Sequence, residues 1–172
     1  TLPTAPNVGD TVRVSGAGGG GWKIAQNALQ SVSGSYFGLA FVDQWVPRDS
    51  VRGWSSMASS ADGSKLVAAV SGPGGLLYTS IDYGASWTPR ESVRNWLSVA
   101  SSGDGSKLVA VAYFDHPYTS IDSGVTWTQR DVANLRYWSS VASSADGSKL
   151  VAAEGSNGFI YTSIDSGVTW TQ

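Results

Sequence analysis

The chain has 172 residues and a mass of 17.9 kDa, which is enough for one ordinary domain with a hydrophobic core. Charged residues account for only 14% of it, while glycine occurs 21 times and tryptophan 8 times, a composition typical of β-rich proteins with many turns. The net charge of -2 argues against nucleic acid as a partner, the lack of cysteine excludes disulfides and thiolate metal sites, and no apolar run reaches the roughly 20 residues of a membrane helix.

Residues 1–53 precede a series of repeats and do not follow the repeat cleanly themselves. The lead "TLPTAPN" contains prolines and predicts an extended arm. The stretches "DTVRVSG", "GWKIAQN" and "LQSVSG" predict three strands around the glycine-rich "GAGGGG". The chain begins with Thr1 in place of methionine, which suggests processing, so we expect an extracellular or cell-surface location.

Three near-identical repeats follow, marked by a tryptophan every 42 residues at Trp54, Trp96 and Trp138. The first repeat begins with "WSSMASSADGSKLVAA" and ends with "YTSIDYGASWTPR". The other two repeats have closely similar sequences. Within it, "WSSMASS", "KLVAAV", "LLYTSI" and "SWTPR" predict strands, while "ADGSK", "SGPGG" and "DYGAS" carry turn signals. Four short antiparallel strands in about 40 residues match one blade of a β-propeller.

We therefore predict an all-β propeller built from four-stranded blades of about 42 residues. The segment 45–54, "WVPRDSVRGW", copies 87–96, "WTPRESVRNW", so residues 1–53 are interpreted as an arm and a degenerate N-terminal blade. This makes four blades, at the low end of closed propellers. A fragment of a larger propeller and a partial ring completed by a second chain are the alternatives. The regular blades are 54–95 (blade 1), 96–137 (blade 2) and 138–172 (blade 3).

The motif S-x-D-x-G-x-[ST]-W recurs in register at 80–87, 120–127 and 163–170. It resembles the Asp-box, or BNR repeat, of β-propellers of the sialidase, sortilin and photosystem II assembly factor types. An aspartate can accept N–H groups of a tight turn, glycine permits a positive φ, and tryptophan can cover the turn and pack between blades. The resemblance implies that the motif lies away from the functional face, so we predict a structural role. The motif residues are Asp82, Gly84, Trp87, Asp122, Gly124, Trp127, Asp165, Gly167 and Trp170.

The resemblance also implies that the connections between blades lie on the face opposite these turns, together with the loops between second and third strands. Each connection carries two arginines, and those loops are the least repeated part of each blade, as expected for a binding surface on a repeat scaffold. The neighbouring Asp49, Glu91 and Asp131 favour local ion pairs in a solvated rim over an anion-binding patch. The loop aromatics either contact a sugar or protein or cover the blade. The candidate residues are Arg48, Arg52, Arg90, Arg94, Arg130, Arg136, Tyr113, Phe114 and His116.

These features predict a non-catalytic binding or structural propeller that acts through its loop face or by self-association into an oligomer or filament. An assembly scaffold that grips a protein partner with an arginine-rich face is the alternative. A sialidase-like hydrolase is disfavoured, because the arginines recur in equivalent loops and the "RIP" sequence of that family is absent. One histidine and one carboxylate per turn predict no metal or cofactor. The candidate partners are a second copy, a glycan or another protein.

Overall fold

Eleven β-strands account for the regular secondary structure of the described part of the chain. The computed structural model describes residues 47–131 and 134–172, which belong to one compact unit. These residues contain no helix, and so none long and apolar enough to cross a membrane, which confirms the all-β prediction. The strands are β1 (Trp54–Ser59), β2 (Leu66–Val70), β3 (Leu77–Ser80), β4 (Thr88–Arg90), β5 (Trp96–Ser101), β6 (Leu108–Asp115), β7 (Pro117–Ser120), β8 (Thr128–Gln129), β9 (Arg136–Ser143), β10 (Leu150–Glu154) and β11 (Ile160–Ser163).

The strands form three antiparallel meanders, which we call blades 1 to 3 in chain order. Blade 1 has the order β1-β2-β3-β4, and β5 to β8 pair in the same succession in blade 2. In blade 3, β9, β10 and β11 pair, and a bridge between Thr162 and Thr171 occupies the position of the fourth strand. Each blade is therefore built from local hairpins, and the turns set the register of its strands.

The hydrophobic core lies between successive blades. Val67, Ala69 and Leu77 of blade 1 are fully buried and belong to one cluster with Trp96 and Val99 of blade 2. The cluster between blades 2 and 3 contains Ala100, Val109, Val111, Trp138, Val141, Leu150, Ala152 and Tyr161. A blade is thus a sheet with two apolar faces, and it buries them only against its neighbours.

Hydrogen bonds at equivalent positions hold successive blades in register. Ser56 Oγ of blade 1 accepts the N–H of Val99 in blade 2 at 3.2 Å. One repeat later, Ser98 Oγ accepts the N–H of Val141 at 3.2 Å. Because both the donor and the acceptor advance by one repeat, the second boundary copies the geometry of the first.

One contact departs from this regular scheme at the boundary between blades 2 and 3. Strand β6 extends to Asp115 and pairs with β9, which places Tyr113 opposite Tyr137. The sequence predicts a loop between the second and third strands of blade 2, over residues 112–117, "AYFDHP". This prediction is wrong: Tyr113 and Phe114 lie in β6, and only His116 separates β6 from β7. The extension forms because β9 offers hydrogen-bond partners to backbone groups that would otherwise need solvent.

The predicted arm and the strands of the degenerate blade fall on residues 1–46, which lie outside the described residues, as do 132 and 133. Of the connection that precedes β1, residues 47–53 are described, and they have no regular secondary structure. The count of four blades therefore stays a prediction.

Gly124 provides a test of the packing between blades. Its φ is +82°, and a Cβ there would lie 2.6 Å from Thr79 Cγ2 of blade 1. Gly72 has a similar φ of +85°, but a Cβ there would meet no described atom within 4 Å. Alanine at either position costs about 1 kcal/mol for the left-handed backbone, and Gly124→Ala costs ~1–3 kcal/mol more for overpacking. We expect urea unfolding to show the larger loss of unfolding free energy for Gly124→Ala.

A second substitution separates the packing effect from the backbone effect. Thr79→Ser removes the methyl group that a Cβ at position 124 would meet. We expect Thr79→Ser combined with Gly124→Ala to recover most of the difference between Gly124→Ala and Gly72→Ala. Equal destabilisation by the two glycine substitutions would contradict tight packing between blades.

Candidate functional site

The antiparallel order of the strands gives each blade two ends with different connections. The turns that follow the first and third strands lie at one end, which we call the turn end. The hairpin between the second and third strands and the connection to the next blade lie at the other end, which we call the loop face. The predicted Asp, Gly and Trp residues of the repeated motif lie at the turn end. The predicted arginines, Tyr113, Phe114 and His116 lie at the loop face.

At the turn end, Asp82 closes the turn between β3 and β4. Its Oδ1 accepts the N–H of Ser86 at 2.9 Å, and its Oδ2 accepts the hydroxyl of Ser86 at 2.6 Å. The Ser80 hydroxyl donates to Asp82 Oδ1 and accepts the N–H of Gly84, which has a φ of +80°. Hydrogen bonds, first that of the Ser86 hydroxyl, lower the pKa of Asp82 from 3.8 to about 2.

The same turn recurs in blades 2 and 3 with threonine in place of the donor serine. Asp122 accepts the N–H of Thr126 at 2.9 Å and its hydroxyl at 2.6 Å. Asp165 accepts the N–H and the hydroxyl of Thr169 at the same distances. Both carboxylate oxygens are used within each turn, and the described residues contain no cluster of metal-ligating side chains. This arrangement stabilises the turns.

The tryptophans of the motif cover these turns from the blade side. Trp127 Nε1 donates to the carbonyl of Gly124, and Trp170 Nε1 donates to that of Gly167, both at 3.1 Å. Both indole rings also pack against the apolar clusters between blades. Trp87 lies against the first tryptophan of blade 1, with ring centroids 6.2 Å apart. Each of these side chains thus stabilises both the turn and the packing between blades.

On the loop face, the second arginine of each connection lies over a buried tyrosine. The guanidinium carbon lies 4.4 to 4.5 Å from the centroid of the tyrosine ring. Such cation–π contacts contribute roughly 1 to 2 kcal/mol when they are partly shielded from water. They attach the connection to the core of its blade. The pairs are Arg52 with Tyr78, Arg94 with Tyr118, and Arg136 with Tyr161.

The same arginines form ion pairs. Arg94 is bound on two sides, with Nη1 3.2 Å from Glu91 of its own connection and Nε 2.9 Å from Asp115 of the neighbouring hairpin. Arg52 Nε lies 3.2 Å from Asp49. These contacts neutralise the charge of both arginines locally.

In the third connection the partner differs from the predicted one. Arg136 Nη1 lies 2.9 Å from Glu154, at the end of β10, and the predicted pairing with Asp131 is not found among the described residues. Glu154 Oε2 also accepts the N–H of Phe159 at 2.9 Å. The backbone hydrogen bond from Phe159 and the bond from Arg136 lower the pKa of Glu154 below its ordinary value.

The first arginine of each connection has a separate role. Arg90 Nε donates to Thr79 Oγ1 at 3.0 Å, and Arg130 Nε donates to Thr119 Oγ1 at 2.6 Å. Arg48 is exposed. Five of the six predicted arginines are therefore held by neighbouring side chains, and they rigidify the loop face without forming one open anion-binding patch.

Three exposed aromatic rings meet where blades 2 and 3 adjoin. Tyr137 lies 5.2 Å from Tyr113 and 4.8 Å from Phe114 between ring centroids. Tyr113, Phe114 and Tyr137 are 54%, 47% and 48% exposed, and we call these three residues the aromatic patch. Tyr137 was not among the sequence candidates, because its contacts cross the blade boundary. The available signal was that Gly53 and Asn95 occupy the equivalent positions before the other blade tryptophans.

Phe114 lies in an unusual backbone conformation. Its φ is +51°, in the left-handed region that bulky side chains rarely adopt. The register of β6 with β9 shifts between Tyr113 and Asp115, so Phe114 is the bulged residue. Blade 1 has Gly72 at the corresponding position and blade 3 has Ser156. Strained residues of this kind concentrate at functional sites.

Other side chains of the loop face differ in accessibility. Leu135 and Phe159 are 45% and 56% exposed and add to the apolar surface of this face. The backbone N–H of His116 donates to Asp115 Oδ1 at 2.7 Å, and its ring Nδ1 is buried without a hydrogen-bond partner among the described residues. His116 therefore does not join the aromatic patch.

No family model matches the sequence, and no curated protein matches it, whereas several solved structures resemble its fold. The structure of YCF48 bound to D1 peptide is 20% identical with a TM-score of 0.58, over 70% of this chain and 40% of that one. YCF48 from Cyanidioschyzon merolae is 19% identical with a TM-score of 0.57, over 69% of this chain and 36% of that one. A GH74 enzyme from Niastella koreensis is 26% identical with a TM-score of 0.54, over 69% and 17%.

These similarities concern the fold. The described residues have a propeller-like all-β fold, as the sequence predicted. The chain spans less than half of the length of each of these structures. Because the neighbours include a peptide-bound protein and a glycoside hydrolase family enzyme on one fold, function has to be argued from the site.

The turn aspartates predict a loss of stability in acid. Hydrogen bonds, first those of the Ser86 and Thr169 hydroxyls, lower the pKa of Asp82 and Asp165 from 3.8 to about 2. Because the folded pKa lies below the unfolded one, this stabilisation is present above about pH 4 and is lost as the pH falls through about 2. We expect the unfolding free energy, measured by chemical denaturation at a series of pH values, to fall across that window.

Asp82→Asn tests the assignment of this acid transition. The amide does not titrate in this range and closes the turn less well, so we expect lower stability at neutral pH and a shallower fall in acid. Asp131→Asn, on the loop face, controls for the loss of one negative charge. An acid profile of Asp82→Asn as steep as that of the wild type would assign the transition to other groups.

Proposed function

We propose that this chain is a non-catalytic, protein-binding propeller module that holds its partner on the loop face by the aromatic patch. The observation that carries the proposal is Phe114, an exposed ring on a left-handed backbone where the other blades have Gly72 and Ser156. Gly72 and Ser156 have a positive φ as well, so the backbone conformation belongs to the repeat, and what is particular to blade 2 is the large exposed ring placed on it. We attribute this ring to a contact outside the chain, because glycine or serine is sufficient for the turn.

The aromatic patch is suited to a protein surface because its rings are fixed before binding. Tyr137 packs against both other rings, and the pairing of β6 with β9 fixes the backbone beneath them. Preorganised aromatic side chains lose little conformational entropy on binding. Exposed aromatic residues at the centre of a contact supply most of the binding energy of many protein interfaces.

Ion pairs border the patch and provide a polar rim. Asp115, bound to Arg94, follows Phe114 in the chain, and Arg136, bound to Glu154, precedes the third ring. Partly exposed pairs of this kind contribute little to stability, but they influence association rate and salt dependence. The sequence suggested, as an alternative, a scaffold that grips its partner with an arginine-rich face. In our proposal the centre of that face is apolar, and the arginines lie at its charged rim.

The chemistry of the loop-face carboxylates supports a non-catalytic role. A glycoside hydrolase needs a carboxylic acid that stays protonated near neutral pH, which requires a raised pKa. The pKa of Glu154 is instead lowered by the N–H of Phe159 and by Arg136. Asp115 and Glu91 each form an ion pair with Arg94.

The comparisons support this proposal because the folds are similar, although the sequence identity is low. The YCF48 neighbour carries a bound D1 peptide, and this chain shares its fold over 70% of its length. The proposal includes blades of the Asp-box type, because Asp82, Asp122 and Asp165 close equivalent turns. It retains the extracellular or cell-surface location expected from the sequence.

Self-association is a second candidate function, and a separate observation favours it. Val151 and Ile160 on the outer face of blade 3 are 39% and 64% exposed, whereas the equivalent Val109 of blade 2 is 1% exposed. This surface is distinct from the aromatic patch, so the two functions are compatible.

Random peptides displayed on phage provide a probe for the loop face, and calorimetric titration of a selected peptide gives its affinity. We expect Phe114→Gly to weaken binding at least about tenfold, because the central ring is lost. The same variant should keep its unfolding free energy within about 1 kcal/mol of the wild type, because glycine relieves the positive φ while the ring contact is lost.

Ile121→Ala is the matched control, since it removes an apolar side chain that is 70% exposed at the turn end of the same blade. It should leave the affinity unchanged. Selected peptides that bind Phe114→Gly and Tyr137→Ala as well as the wild type would refute the aromatic patch as the binding site. Cleavage of any polysaccharide in a screening panel would refute the non-catalytic role.

A further inference from the structure

Each boundary between the described blades joins the same two surfaces. We call the surface that a blade presents to the next blade its leading face, and the surface that it presents to the preceding blade its trailing face. At the first boundary, Val67, Ala69 and Leu77 on the leading face of blade 1 cluster with Trp96 and Val99 on the trailing face of blade 2. The second boundary repeats this arrangement one blade later.

The leading face of blade 3 carries the same kinds of residues but is open to solvent. Val151 is 39% exposed, whereas its counterparts Val67 and Val109 are 0% and 1% exposed. Ile160 is 64% exposed, whereas its counterpart Leu77 is 0% exposed. A groove of about 420 Å³ runs along this face beside Val151. Among the described residues, no trailing face of another blade covers it.

The trailing face of blade 1 is the complementary surface, and within residues 47–131 and 134–172 no other blade covers it. Met57 is 69% exposed, whereas its counterpart Val99 is 5% exposed. Trp54 is half-buried, whereas its counterpart Trp96 is fully buried. A groove of about 440 Å³ on this side is lined by Trp54, Met57 and Trp87 among others.

We propose that the leading face of blade 3 binds the trailing face of blade 1 in a second copy of the chain, and that two copies joined twice in this way close one ring. This inference rests on self-association as a proposed function and names the two surfaces. Two copies contribute six described blades, within the roughly four to eight of closed propellers, whereas three copies exceed that range. A junction between unlike faces that closes in this way gives a dimer of defined size.

The backbone contacts at the existing boundaries specify the register of the new junction. The N–H of Ala61 donates to the carbonyl of Gly103 at 2.7 Å, and the N–H of Gly103 donates to the carbonyl of Ala145 at 2.6 Å. The next step of this series joins Ala145 to Ala61 of the second copy. A Cβ on Gly103 would lie 3.9 Å from the Cβ of Ala145, a distance that a disulfide spans.

A ring closed within one chain, with residues 1–53 as a fourth blade, would use the same two faces. In blade 1, the sequence "WSSMASSADGSKLVAA" forms the trailing face, and residues 1–53 contain no similar sequence. The interval from Trp22 to Trp45 is also ten residues shorter than the interval from Trp54 to Trp87. A second copy supplies the trailing face in full.

Light scattering of the full chain tests the dimer, whose expected mass is about 36 kDa, twice 17.9 kDa. Val151→Lys and Met57→Glu each place a charge in one face and should weaken dimerisation at least about a hundredfold. A mixture of the two variants should restore a dimer, because one junction is then native and the other pairs lysine with glutamate. Val168→Glu is the control, since Val168 is 55% exposed and its counterpart Val125 stays 57% exposed beside the next blade.

Cross-linking gives an independent readout, because the chain has no cysteine of its own. Ala61→Cys combined with Ala145→Cys should form a covalent dimer on oxidation, with all thiols consumed. Neither single cysteine should cross-link efficiently. Gly103→Cys combined with Ala145→Cys is the positive control and should close within one chain.

A wild-type monomer, with both thiols of the double-cysteine variant left reduced, would overturn the proposal in favour of a ring closed by one chain through residues 1–53. Loss of both thiols without a dimer band would overturn it as well, because the two faces would then meet within one chain. A ladder of larger species would overturn ring closure, and a dimer insensitive to Met57→Glu would show that like faces meet. Peptide binding is measured on the Val151→Lys variant as well. Failure of the dimer and failure of the loop-face function are therefore distinguishable.

Discussion

The structure depends on one constraint: a blade has two apolar faces, and only another blade can bury them. This constraint explains the glycines of the turn end as well as the core. A Cβ on Gly124 or Gly167 would lie 2.6 or 2.7 Å from the methyl group of Thr79 or Thr119 in the preceding blade. Each blade packs against two neighbours, so its leading face must fit the next blade and its trailing face must fit the preceding one. A substitution in a blade therefore has to be compatible with both boundaries, which favours near-identical repeats.

The loop face is largely exempt from this constraint, because its connections are anchored by a few side chains. Arg94 lies over Tyr118 and binds both Glu91 and Asp115, so a single guanidinium fastens the connection and the neighbouring hairpin to the core. With that base fixed, the residue at the hairpin tip can change without disturbing the blade. Function is therefore sought at Phe114, where the repeats differ, and not at the aspartates, where they agree.

Local patterns in the sequence were sufficient for the features that lie within one blade. Period-two alternation and Asp-Gly turns placed the strands of blade 1 within two residues of β1 to β4. The features that escaped prediction join segments that are distant in the sequence. The pairing of the end of β6 with β9 and the position of Tyr137 depend on how two blades meet, and no single repeat contains that information. The ion pair of Arg136 with Glu154 joins the neighbouring strands β9 and β10, and it depends on their pairing.

The two proposed surfaces reinforce each other. When a leading face binds a trailing face, equivalent strands of all blades run in the same direction. All loop faces of a two-copy ring therefore lie on the same side. The ring then presents two aromatic patches to one partner or to a partner array. A second contact that forms at high effective concentration strengthens binding by roughly 10² to 10⁴ without new interactions at either patch. In the proposed ring, a patch of three rings that is small for a stable interface on its own gains affinity because it is presented twice.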